Sequence, residues 1–431
     1  MGWSYEQALA YLDDHTDLER MAAGTWEPPT LDRMRALAEL LAEPQHAQPA
    51  IHVTGTNGKG STVRILSALV AAHNLSVGTY TSPDLERVNE RLARNGEPID
   101  DESFAEAVGA VADLEGLSGI RPHRFEILTL AALRWFADLP VDAAVVEVGL
   151  GGRWDATNVV DAAVAVVTNV GLDHTEVLGP TREHVAREKA GIVKPGSTLV
   201  LGETDPALVS IFEDEGPARV LLRDRDFACT GNLVAVGGRA IGITTPLATY
   251  DDVFLSLHGA HQGDNAALAV AAAEAFFERP LDEEVVREAL ATVAVPGRFE
   301  VVGRSPLVVL DGAHNPDGAR AASATLSDFG FGGERFLVVG MNKGRDALQM
   351  LQLLDAGLAR GVIATAVDFP RAMPPEEIAE AARALGVDVE VVRDVPSAVQ
   401  RAVGMAGEDD LVLVTGSLYV VGEARRAVGS L

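Results

Sequence analysis

The stretch Ile51-His52-Val53-Thr54-Gly55-Thr56-Asn57-Gly58-Lys59-Gly60-Ser61-Thr62 runs from β-branched residues through a glycine-rich turn into a helical pattern. That order suits phosphate binding. Glycines let backbone N–H groups close around phosphate oxygens, a helix N-terminus adds partial positive charge, and Lys59 supplies a mobile cation. Val53 stands where the usual phosphate-loop pattern has its first glycine, and Gly55 lies closer to Gly58, so the loop is a variant. Further polar groups lie at the ends of other apolar runs. In Thr79–Arg91, Ser82 is placed to reach a metal and Arg87 or Arg91 an anion, although a Ser-Pro turn opening a helix also needs no function. Glu147 interrupts the apolar run Val145–Val148. A buried carboxylate requires a cationic partner, either a divalent ion such as Mg²⁺ or a structural Arg or Lys. His174 follows the next run as a candidate metal ligand or base, and Lys189 lies in a helical segment beyond it.

Such residues must be held by a scaffold, and the composition supports one. The chain has 431 residues, 47% hydrophobic and 23% charged, enough for two domains with full cores. A net charge of −28 repels a polyanion, which argues against a nucleic-acid partner. The single cysteine, Cys229, excludes an internal disulfide and fits a reducing cytoplasm. The start of the chain lacks a signal-peptide pattern, and the most apolar helical stretch, 265–277, is too short to span a bilayer. No membrane role is expected, and a monomer is.

From Ala50 onward, short β-branched runs alternate with helical periods, the mark of crossover units around a largely parallel sheet. Strands are expected at 51–53, 76–80, 143–148, 163–168 and 198–201, with helices such as 61–72 and 125–137 between them. Between Arg223 and Leu257 the helical period disappears and a small antiparallel sheet is expected. Helical patterns return at 265–278 and 282–292, and Val295-Pro296-Gly297-Arg298 breaks them. Beyond that break, strands at 307–310, 336–339, 362–365, 387–392 and 411–414 form a smaller doubly wound unit. The class is therefore α/β, with a site expected at the carboxyl ends of strands, in the cleft between the two units.

Taken in order, the segments G-T-N-G-K-G-S, T-S-P, Phe125-Glu126, E-V-G-L-G-G-R-x-D-A-T-N, G-x-D-H, E-K-A-G-I, the H-Q-x-x-N of His261 to Asn265, P-G-R, D-G-A-H-N-P and T-G-S-L-Y resemble the Mur ligase superfamily. Within it they resemble the folylpolyglutamate synthase/dihydrofolate synthase family along the whole chain. The resemblance implies an ATP-binding P-loop domain over 1–296 and a C-terminal glutamate-ligase domain over 297–431. It implies an ADP-forming ligase that joins L-glutamate to dihydropteroate or a reduced folate, with ATP as co-substrate and two Mg²⁺ ions. Gly55, Thr56, Asn57, Gly58, Lys59, Gly60 and Ser61 match the nucleotide loop, and Asn265, Arg298 and Asp311 match other nucleotide contacts. Ser82, Glu147 and His174 match magnesium ligands, and Lys189 matches a lysine that is carbamylated in the family. His123, Arg124, Phe125, Glu126, Trp154, Asp155 and Ala156 match pterin or folate contacts. Arg298, His314 and Ser417 are associated with the incoming glutamate, for which Lys343 is a further candidate cation. Lys59, Lys189, Asp311 and His314 are the expected catalytic groups. Asp84, where many members have His, and Met341–Asp346, which matches an Asp-Lys-Asp element only in part, depart from the pattern. Alternatives are a Mur-type amide ligase for another carboxylate and a catalytically inactive nucleotide-binding relative.

Overall fold

The computed structural model describes residues 2–21 and 30–429. Its first and largest sheet collects the apolar runs of the first half: β1 (Ala50–Thr54), β2 (Val77–Tyr80), β3 (Leu92–Arg94), β4 (Glu97–Pro98), β5 (Ala143–Glu147), β6 (Val164–Val167), β7 (Thr198–Leu201) and β8 (Arg219–Leu222). They order as β4-β3-β2-β5-β1-β6-β7-β8. Neighbours from β2 through β8 are parallel, and only the short β3 and β4 at one edge run antiparallel. β1, β5 and β6 are buried along their whole length, which is why they lack polar alternation. Helix Lys59–Ala72 packs on one face with helices His261–Phe277 and Glu283–Thr292, closing a core around Ile51, Val53, Leu66 and Val70. Helices Asp101–Ser118 and Arg124–Asp138 cover the other face around Tyr80, Phe104 and Phe136.

The segment without helical period forms a separate antiparallel sheet, β9 (Ala228–Ala235), β10 (Gly238–Thr244) and β11 (Thr249–Leu255), as expected. The last third builds a second α/β layer from β12 (Glu300–Arg304), β13 (Leu307–Asp311), β14 (Arg335–Val339), β15 (Gly361–Ala364), β16 (Val389–Val391) and β17 (Leu411–Thr415), ordered β12-β13-β17-β14-β15-β16. Apart from β12 on β13, its pairs are parallel.

β8, β12 and the β3–β4 hairpin are strands that the apolar runs do not announce. All lie at or near a sheet edge, where a strand is short and mixed in polarity and the periodic signal is weak. Strand register sets where the chemistry-bearing turns emerge. Val53 pairs with Glu147 and Thr54 with Val167, so the glycine-rich turn, Glu147 and the Thr168–His174 loop leave one edge together. In the second sheet Asp311 pairs with Thr415, bringing the turns after β13 and β17 side by side.

Candidate active site

A cavity of about 640 Å³ lies at these strand ends, lined from both halves of the chain. Its floor is the turn Gly55–Gly58. Gly58 has φ of +83° and a Cβ there would fall 2.6 Å from Asn265 Oδ1, so only glycine fits. Gly58 offers no side-chain cap to helix Lys59–Ala72, which leaves the first helical N–H groups open to an anion. The turn is braced from beside: Asn57 N donates to Asn169 Oδ1 at 3.0 Å, while Thr168 Oγ1 and Asn169 Nδ2 donate to Asn57 O at 2.6 and 3.0 Å. Lys59 Nζ donates to Gly55 O and Thr56 O at 3.1 and 3.4 Å, and burial lowers its pKa despite the nearby carboxylates of Glu147 and Asp173. Asn265 donates to Gln262 Oε1 at 3.0 Å, and Gln262 reaches Ser61 Oγ at 3.4 Å. The whole expected nucleotide set, with Arg298 and Asp311, lines this one cavity.

Glu147 is buried, and its only hydrogen bond among the described residues is from Ser82 N to Oε2 at 3.2 Å. Burial raises its pKa, while Lys59, the Ser82 N–H, Arg298 and Arg64 oppose that shift without pairing with it directly. A Cβ on Gly60 would still stand 3.6 Å from Oε2, so the carboxylate has room in front of it. An under-neutralised buried carboxylate, with Ser82 lining the same cavity, is a fit donor set for Mg²⁺, which keeps waters and phosphate oxygens for its other positions. His174 lines the same cavity, and burial lowers its pKa to about 4, leaving a neutral imidazole available as a ligand. Among the described residues no group of three or more His, Cys, Asp or Glu forms a closed cage. Lys189 is buried at the cavity wall, and burial, with the charge of Lys59, holds its pKa well below the usual lysine range. Its amine therefore loses its proton more readily than an exposed lysine's and is the more nucleophilic for it.

Another part of the cavity lining is more apolar, formed by Phe125, Trp154, Pro83 and Tyr419, with Asp155 and Ala156 beside Trp154. Asp155 is buried and accepts from Leu150 N and Thr157 N, both at 2.9 Å. Glu126 receives a two-pronged hydrogen bond from Arg33 at 2.8 and 2.9 Å, and Arg33 also meets the His123 ring at 3.0 Å. Arg124 is not brought to the cavity: its guanidinium pairs with Asp13 at 2.7 Å and Asp17 at 3.6 Å. An anchor for the helix Arg124–Asp138 is thus its structural use. Asp84 is taken by Arg91 at 2.6 Å, and Arg91 also pairs with Glu19 at 2.7 Å, so the loop after β2 is tied to the N-terminal segment.

From the C-terminal third come Asp311, His314 and Ser417. Asp311 accepts from Phe299 N and Ala313 N, both at 2.9 Å, and burial raises its pKa even with Arg298 nearby. His314 Nδ1 lies 2.9 Å from Gly312 O. Arg298 makes no hydrogen bond or ion pair with a side chain among the described residues, which leaves its guanidinium available to a ligand. Lys343 does not join it: its Nζ is exposed and donates to Pro370 O at 3.0 Å. Arg345 takes the place expected of Lys343, pairing with Asp173 at 2.8 Å within the cavity.

Asp173 is a site residue that its own position in the sequence does not single out. Burial alone would raise its carboxyl, but the neighbouring His314, His174 and Arg345 hold it far below the usual carboxylate range, with His314 Nε2 3.6 Å away and Arg345 at 2.8 Å. Asn315 Nδ2 joins it at 3.0 Å and also donates to Asn57 Oδ1 at 2.9 Å, so the phosphate turn and the C-terminal third meet at one amide. The two residues stand inside the segments G-x-D-H and D-G-A-H-N-P, which are the signals that mark them. Arg33 carries no signal, since its partner lies far off in sequence.

Comparison with known proteins agrees with this geometry. Residues 122–273 match the Mur ligase middle domain and residues 297–418 the Mur ligase glutamate ligase domain. The chain is 37% identical to the dihydrofolate synthase/folylpolyglutamate synthase of Mycobacterium tuberculosis, over 93% of this chain and 90% of that one. The solved Mycobacterium tuberculosis folylpolyglutamate synthase complexed with ADP superposes with a TM-score of 0.91 at 34% identity, covering 99% of this chain and 98% of that one. A bifunctional folylpolyglutamate synthase/dihydrofolate synthase solved with Mn, AMPPNP and L-glutamate bound gives 0.86 at 30% identity, covering 99% and 98%. This chain belongs to the folylpolyglutamate synthase/dihydrofolate synthase family of ADP-forming Mur ligases.

Proposed function

We propose that the protein joins L-glutamate to dihydropteroate, to a reduced folate, or to both, through an acyl phosphate, with the chain dividing into a nucleotide domain (1–296) and a glutamate domain (297–431). The observation that supports this best is one cavity whose lining combines a phosphate turn, an aromatic wall, and Asp311, His314 and Ser417. A free carboxylate cannot expel oxide. Its oxygen therefore attacks the γ-phosphorus of ATP, ADP leaves, and an acyl phosphate forms. The open N–H groups after Gly58 and the Lys59 amine hold the phosphates in line for that attack. Ser82, Glu147 and His174 would hold the two Mg²⁺ ions, which when bound would supply positive charge against the phosphate oxygens. Lys189, whose deprotonation burial favours, gains a carboxylate when its free amine adds CO₂ with loss of one proton, which makes it an anion suited to the same cations.

Glutamate enters from the C-terminal side, where Arg298 faces its carboxylates and Ser417 offers a hydroxyl. Its neutral α-amine attacks the acyl carbon, phosphate departs, and the amine proton passes to a nearby acceptor. His314 and Asp311 are the groups placed for positioning that amine. A monomer acting in a reducing cytoplasm completes the proposal, the single cysteine, Cys229, being a free thiol. ADP release with Mg-ATP and L-glutamate, comparing dihydropteroate with tetrahydrofolate and weighing each product, is the test. A product heavier by one glutamyl residue is expected with at least one acceptor; no product with either would overturn the folate reading.

A further inference from the structure

His52 has no role in that reaction, yet it is a fully buried polar residue in the middle of β1, among apolar neighbours. Its Nε2 lies 2.8 Å from Thr157 Oγ1, and Thr157 Oγ1 in turn donates to Asp155 Oδ1. Thr157 is itself fully buried. The hydroxyl has one proton, which is used on Asp155, so it must accept from His52, and the imidazole proton therefore sits on Nε2. That leaves Nδ1 bare, and it has no partner among the described residues. Burial lowers the imidazole pKa to about 3, so the ring stays neutral. A buried acceptor without a donor is unfavourable, and an apolar side chain of similar size would avoid the penalty. The chain of hydrogen bonds nevertheless ends on Asp155, which lines the aromatic part of the cavity.

We infer that His52 and Thr157 are positioning residues that orient the Asp155 carboxylate toward an N–H donor of the acceptor's ring. The inference rests on the reading of that part of the cavity as the acceptor site. His52 fixes the direction of the Thr157 hydroxyl, and with the Thr157 and Leu150 N–H groups that hydroxyl fills three of the carboxylate's four lone-pair sites, leaving one on Oδ2. A planar heterocycle bearing a ring N–H or amino donor is the ligand class this serves. Asp155 touches the ligand; His52 and Thr157 act through it.

Steady-state kinetics on Thr157→Val, Thr157→Ser, His52→Phe and Asp155→Ala, each with a melting curve, tests the chain. Thr157→Val keeps the volume and removes the hydroxyl; it is expected to raise the acceptor KM about tenfold, the scale of one lost hydrogen bond to a charged group. KM for ATP and for glutamate should stay unchanged, and Thr157→Ser should restore the acceptor KM. His52→Phe, which removes the orphaned acceptor, should raise the acceptor KM without lowering Tm. An unchanged acceptor KM in both Thr157→Val and His52→Phe overturns the inference, as does an equal loss toward all three substrates. If Thr157→Val fails to fold, His52→Phe decides alone. The two failures are separable: an unchanged acceptor KM in Asp155→Ala removes the acceptor reading of this part of the cavity, whereas a raised KM there with Thr157→Val and His52→Phe both normal removes only the relay.

Discussion

Two regions of the cavity treat buried charge in opposite ways. Around Glu147, Lys189 and Asp311, ionisable groups are buried with too few partners, and each is pushed toward its neutral form. Around Asp173 a single carboxylate collects Arg345, His314 and Asn315 from across the cleft and is held ionised. Glu147, Lys189 and Asp173 are buried to a similar degree, so the difference lies in which groups the fold itself satisfies. The first region is unfinished until ligands arrive, and the second is complete without them. On the proposed function, the under-neutralised groups are where substrate and metal bind, and the satisfied one ties the two halves of the chain together.

The sharpest way to break that contrast is Glu147→Gln. Losing the carboxylate should lower kcat on the order of 10³-fold, as removal of a metal-binding charge in a phosphoryl-transfer site does. The same change relieves a buried charge, so the melting temperature of the ligand-free protein should rise; a fall would place Glu147 in the satisfied class. Asp173→Asn should do the reverse. It leaves Arg345 unpaired in the cleft and should lower stability by about 2 kcal/mol, since removing one partner of a largely buried pair strands the other; denaturant unfolding measures it, and an unchanged midpoint would end the claim that this junction ties the halves together.

Asp311→Asn probes the first region through pH. The folded carboxyl is raised above its ordinary 3.8. A raised acid contributes stability below its unfolded value and loses it as pH rises through the folded one. The variant, which never ionises, should thus be more stable than the parent near neutral pH, and the gap should close below about pH 4. Melting curves across that range would show it, and a gap that widens in acid would contradict the sign. The smallest effect belongs to Lys343→Ala: with its ammonium on Pro370 O at the surface, the glutamate KM should change less than about twofold. A tenfold change would return Lys343 to the pocket.

Several of these residues are legible from the chain's order alone. Gly55 to Ser61 announce a phosphate turn because glycine, lysine and hydroxyl at that spacing have few other uses, and Glu147 stands out as a charge inside an apolar strand. Other groups are legible in type but not in use. Arg124 and Lys343 are cations in suitable segments, and only packing shows that one braces Asp13 while the other faces solvent. Arg33 with Glu126, and His52 with Thr157, are pairs separated by most of a sheet. No local period marks them, because their geometry is set by strand order.

By itself, then, the sequence determined the elements whose cause is local: buried parallel strands from unbroken apolar runs, the phosphate turn from its glycines, the antiparallel segment from the loss of helical period. The tertiary structure decided what depends on charges meeting across distance. Whether a buried group is paired, and so held charged or pushed neutral, depends on which strand ends share an edge and which turns face them across the cleft. Asp173 and Glu147 are both carboxylates at the ends of apolar runs, and only the arrival of Arg345, His314 and Asn315 at one of them separates their roles.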